Sequence, residues 1–169
     1  MPKKESSEDF KKEEKISAIA NAHVTTNVTF LFVAVTLLTF VVTIKNELFL
    51  RDQLLLTQLG ISIILFAYSI FARSKLIGSY NRVLSLFGKY SFTIGFVAFM
   101  NSLGIIISAL ILKSSGIIFL SIYAFMMLAY GAVSSYTSKI SGKKVTLTKE
   151  IASLVVLIVF GLLHIINSY

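Results

Sequence analysis

Residues 91–133 read SFTIGFVAFMNSLGIIISALIL, then KSS, then GIIFLSIYAFMMLAYGAV. The first run carries 22 uncharged residues and the second 18, separated by Lys113, Ser114 and Ser115. Each run approaches the roughly 20 residues that carry a helix across a hydrocarbon core, and both exceed the roughly 9 to 11 of a barrel strand. In hydrocarbon the backbone must satisfy its own hydrogen bonds, so helices are predicted. A three-residue link permits only a tight hairpin, which makes these two helices antiparallel neighbours.

Working outward, three further apolar runs appear at 24–44, 54–72 and 151–166. None of the five contains Asp, Glu, Lys or Arg. The fifth is the shortest, and its helix is predicted to start nearer Thr148. The whole composition agrees: 56% of the 169 residues are apolar and 14% charged, far from the balance of a soluble domain. The fold expected is an all-α integral membrane protein, a five-helix transmembrane bundle over 24–169 preceded by a charged segment over 1–23. Phe10, Ile16, Ile19 and Ala20 sit among the charges of that segment, as a surface helix feeding the first span would require. Its mixture of Lys and Glu, with no small-residue cleavage site after the first run, argues against a removed signal peptide.

Orientation follows from the basic residues, which are retained on the cytoplasmic side. Lys3, Lys4, Lys11, Lys12 and Lys15 precede the first span; Arg73, Lys75, Arg82 and Lys89 follow the second; Lys139, Lys143, Lys144 and Lys149 follow the fourth. The opposite connections hold only Lys45, Arg51 and Lys113. This alternation predicts a cell-membrane protein with its N-terminus in the cytoplasm and its C-terminus outside. The net charge of +8 is thereby accounted for by topology, and a nucleic-acid partner is not expected.

Between the second and third spans, Ile77, Tyr80, Leu84 and Phe87 recur at helical spacing beside Arg82 and Lys89. The pattern predicts a short amphipathic helix over about 79–88 in the interface, capped by Ser79 and stopped by Gly88. Arg73, Lys75, Arg82 and Lys89 are candidates to hold anionic lipid headgroups; the plainer reading is that they only set topology.

Polar side chains inside the runs are the remaining candidates. Thr25, Thr29, Thr36, Thr39 and Thr43 fall within an arc of about 80° when each residue turns by roughly 100°. The stripe reads either as a polar path or as hydroxyls bonded to their own helix and packed on a neighbour. Asn101 shares a face with Gly104 and Ser108, a small-xxx-small pair that lets another helix approach, which reads as an assembly signal before a solute site. Tyr123, Met127, Tyr130 and Ser134 form one face of the fourth span, and Ser153, Leu157, Gly161 and His164 one face of the fifth; these faces are expected to meet inside the bundle. His23 and His164 fall at opposite ends, so no single metal site uses both. No metal or cofactor is expected. Glu47, Asp52 and Glu150 read as solvated loop charges.

No span carries a carboxylate or a proline, which disfavours coupled transport through broken helices. Cysteine is absent, and no nucleophile is paired with an acid and a base, so catalysis is not expected. The function that fits is a non-catalytic accessory or scaffold subunit, associated with itself or with another membrane protein and with lipids. The alternative is a channel or facilitator for a small neutral solute through Thr36 and Asn101. A lipid-acting enzyme comes third.

Overall fold

The computed structural model describes residues 7–43, 52–77, 81–140 and 148–168. Every element among them is helical: α1 Ser7–Thr43, α2 Gln53–Ser74, α3 Arg82–Leu110, α4 Lys113–Ile140, and α5, which runs as Thr148–Leu157, a π-helical turn Ile158–Leu162 and Leu163–Ser168. All five are long and apolar enough to cross a membrane. The α3–α4 connection is tighter than the expected hairpin, because α4 already starts at Lys113 and only Ile111 and Leu112 lie between the helices.

Three other expectations change. The charged segment from Ser7 onward is continuous with the first span in one helix of 37 residues, not a separate surface helix. The short amphipathic helix is likewise the first two turns of α3, whose 29 residues extend about 44 Å at 1.5 Å per residue. Gly88 therefore does not stop a helix. A single internal glycine costs only ~1 kcal/mol, and here its bare Cα lets Arg73 and Ala72 of α2 approach: a methyl at Gly88 would meet Arg73 Nε at 3.2 Å and Ala72 Cβ at 3.3 Å. The cap is Asn81, whose side-chain oxygen accepts from Val83 N at 2.9 Å and Leu84 N at 3.2 Å; Ser79 lies outside the described residues.

The central helix is α3, which packs against α2, α4 and α5, while α1 leans on α2. One core cluster joins Val41, Leu55, Leu59, Ile105, Leu120 and Ile165 near the end where α3 turns into α4. A second, aromatic cluster joins Phe66 and Phe99 to Phe30, Phe92 and Phe96. Phe30 meets Phe96 edge-to-face at 5.0 Å between centroids, the arrangement that ring quadrupoles favour. Without a hydrophobic force between helices in lipid, such packing and interhelical hydrogen bonds hold the bundle together.

Close approach explains the small residues. A methyl at Gly116 would overlap Ser108 Oγ and the Gly104 carbonyl oxygen, and one at Gly104 would meet Leu120 side-chain atoms at 2.6–2.9 Å. The Gly104 and Ser108 pair is thus used within the chain, at the α3–α4 crossing.

The π turn has polar neighbours on two sides. Gln58 Nε2 of α2 donates to the Phe160 carbonyl at 2.9 Å, and Asn101 Nδ2 of α3 reaches the Val156 carbonyl at 3.4 Å. Both amides are buried, and their oxygens, Gln58 Oε1 and Asn101 Oδ1, have no partner. Two side chains thus draw on carbonyls of α5 beside the turn where its ladder is widened. Gln58→Leu is expected to lower stability by about 0.6–2 kcal/mol, the range for an interhelical bond in a membrane, and to speed hydrogen exchange around residues 158–163. Unfolding in denaturing detergent and exchange mass spectrometry measure the two effects.

At the other face of the same end, Asp52 is buried rather than solvated. Its Oδ1 accepts from Leu55 N at 3.0 Å, capping α2, and its Oδ2 meets His164 Nε2 of α5 at 2.9 Å. One carboxylate both starts α2 and ties it to α5, which places a charged partner beside a histidine that has none nearby in sequence.

Candidate functional site

The end of the bundle bearing Arg73 and Lys89 contains a cavity of about 700 Å³. Its walls come from all five helices: His23 and Asn27 from α1, Arg73 from α2, Ser85, Lys89, Phe92, Thr93 and Phe96 from α3, Tyr123, Met126, Met127 and Tyr130 from α4, and Ser153 from α5. The cavity is open on one side, where His23, Lys89, Met126 and Tyr130 are exposed at its rim.

A hydrogen-bonded chain fixes the three helices that carry its polar wall. Buried Asn27 Nδ2 donates to Ser69 Oγ at 2.7 Å, and Ser69 Oγ donates in turn to the Gly88 carbonyl at 2.7 Å, linking α1, α2 and α3. Gly88 then receives Arg73 across its bare Cα, which seats the guanidinium against α3. Arg73 Nε is fully buried there with no hydrogen-bond partner. No Asp or Glu is among the described lining residues. Arg73 as a whole is half-buried, and an anion that reaches the exposed part of its guanidinium would offset the cost of that burial.

Much of the remaining lining is aromatic or thioether. Phe92 and Phe96 stack at 5.8 Å, and Tyr123 stands edge-on to Phe96 at 6.0 Å. Met126 and Met127 add flexible, polarizable surface that adapts to irregular ligands. The lining therefore combines two cations and several hydroxyls with aromatic and thioether surface, the mixture an amphiphile requires.

Of the four headgroup candidates, Arg73 and Lys89 line this cavity and Lys75 and Arg82 do not. Lys75 lies over the Phe71 ring at 4.4 Å, and Arg82 opens α3 on the exposed surface. Of the two stripes expected to face each other, Tyr123, Met127 and Tyr130 line the cavity with Ser153, Tyr130 remaining exposed, while Leu157 and Gly161 are buried, Gly161 against Asn101 of α3 and Leu120 of α4.

The threonine stripe is placed differently. Thr25, Thr29, Thr36, Thr39 and Thr43 all lie on the exposed face of α1. Thr25, Thr29 and Thr39 donate to the carbonyls of Asn21, Thr25 and Val35 on their own helix, four residues back. They do not face the interior of the bundle. Thr36 is accordingly not an interior residue, whereas Asn101, its expected companion in a polar path, is fully buried.

No protein-family model, curated protein or solved structure matches this chain. The functional argument therefore stands on the cavity itself. The residues that build it were partly hidden in sequence: Asn27 and Ser69, which join α1 to α2 beside it, are 42 residues apart. The clue that was present is that each is a carboxamide or hydroxyl in a segment otherwise rich in Leu, Ile and Phe.

Proposed function

We propose that this chain is a multi-pass membrane protein, its Arg73 end in the cytoplasm, that binds an anionic amphiphile in the five-helix cavity without transforming it. It acts as a non-catalytic, lipid-binding accessory protein. The observation that carries the reading is that Arg73 and Lys89 line one chamber, with no described carboxylate among its lining residues, together with Phe92, Phe96 and Tyr123. The orientation is supported by the alternation of basic residues, with thirteen of sixteen on one side. On that side the inner leaflet carries anionic headgroups, which an arginine fork recognises in preference to zwitterionic ones.

The two earlier alternatives have less support. Gly104 and Ser108 are occupied at the α3–α4 crossing, so they no longer speak for an interface with another chain. A neutral-solute path along Thr36 loses its lining, because that stripe faces outward.

Protein extracted in a mild detergent is expected to retain anionic lipid in excess of the membrane average, and Arg73→Gln with Lys89→Gln should remove that excess. Mass spectrometry of the extracted lipids measures it; the same lipid profile from both proteins would refute the reading. Orientation is checked separately in the cysteine-free chain: Ser114→Cys should react with an impermeant reagent on intact cells and Ser141→Cys should not.

A further inference from the structure

Beside the cavity, α3 and α5 enclose a second hollow of about 190 Å³, lined by Tyr90, Thr93, Ile94, Val97, Ala152, Ser153 and Val156. Thr93 and Ser153 belong to both spaces, so the two are adjacent across this one pair of residues. We infer that this slot receives an acyl chain of the amphiphile whose head occupies the cavity, an inference that rests on the proposed function.

The two spaces run side by side along α3, the cavity from Ser85 to Phe96 and the slot from Tyr90 to Val97. Lys89, Thr93 and Val97 are spaced by four residues, so each lies about 6 Å deeper than the last along the helix. Lys89 lines the cavity alone, Thr93 lines both spaces, and Val97 lines the slot alone. Along this one face charge gives way to hydrocarbon over two helical turns, and an acyl chain can pass from the cavity into the slot across Thr93 and Ser153. Thr93 does not obstruct this passage with an unmet hydroxyl, since its Oγ1 donates to the Lys89 carbonyl at 2.9 Å. The outer edge of the slot is formed by exposed Tyr90, Ile94 and Ala152, which lets the chain continue into the surrounding lipid.

The test uses the full chain in phosphatidylcholine vesicles containing a trace of phosphatidic acid with a diazirine midway along one acyl chain. After irradiation, label is expected on Ile94 and Val156. Two variants plug the slot from its exposed edge, Ala152→Phe and Ile94→Trp. Each should reduce label on Val156 at least tenfold, whereas Lys75→Gln, outside both spaces, should leave it unchanged. Label on Met126 or Tyr130 in place of the slot residues would overturn the inference and leave the cavity reading standing. Val156 labelling that persists in both plugged variants would overturn it equally. Labelling that is the same in Arg73→Gln as in the unmodified protein would overturn the cavity reading and the slot with it.

Discussion

Gly116→Ala is expected to be the most destabilising single-methyl change in the bundle. The new Cβ would overlap both Ser108 Oγ and the Gly104 carbonyl oxygen. The hydroxyl can rotate away, but the carbonyl belongs to the backbone of α3, so the helices themselves must separate. Overpacking costs typically about 1–3 kcal/mol and occasionally more, and a backbone obstacle puts this site at the upper end. Gly104→Ala meets only the branched tip of Leu120 and should cost less. Gly60→Ala meets nothing within 4 Å and should be neutral or stabilising by up to ~1 kcal/mol, through helix propensity alone. Unfolding titrations of the three variants in mixed micelles measure the ranking; equal effects at Gly116 and Gly60 would contradict the α3–α4 crossing.

Arg73→Gln is expected to weaken binding of anionic amphiphiles by roughly ten- to a hundredfold, the equivalent of the ~1.5–3 kcal/mol carried by hydrogen bonds to a charged group. Affinity for zwitterionic amphiphiles should not change. The fold should be no less stable, because Arg73 Nε has no hydrogen-bond acceptor to lose. A residue whose removal costs affinity while sparing or improving stability is the signature of a site kept for binding. Lys75→Gln provides the contrast: its ammonium lies over Phe71, outside the cavity, and its removal should leave affinity within about twofold, as expected for a screened surface charge.

The architecture was more legible in the sequence than the site. Uncharged runs of membrane length announced five helices, and a three-residue link announced the α3–α4 pair, because hydrocarbon tolerates few other structures. The facing stripes through Tyr123 and Tyr130 and through Ser153 and Gly161 were visible for the same reason: helical spacing states which residues share a face. Spacing does not state which way a face points. In a soluble helix polarity settles that question, but the outward face of a membrane helix is as apolar as its core, so the threonine stripe of α1 was legible as a stripe and not as a surface. Pairings across the chain were illegible altogether. Asp52 reads as a loop charge until α5 folds back to bring His164 against it, and Asn27 joins Ser69 only when α1 lies on α2. The π turn at Ile158–Leu162 has no proline to mark it; its position coincides with the two amides that reach it from other helices.

On the proposed function, the cavity selects an anionic amphiphile through Arg73. Equilibrium binding of phosphatidic acid and of phosphatidylcholine with matched chains, measured on the purified full-length protein in the same detergent, tests it most directly. The expected result is saturable binding of phosphatidic acid at one per protein, at least tenfold tighter than phosphatidylcholine, with that preference lost in Arg73→Gln. Equal affinity for both lipids, or a preference that survives Arg73→Gln unchanged, would contradict it.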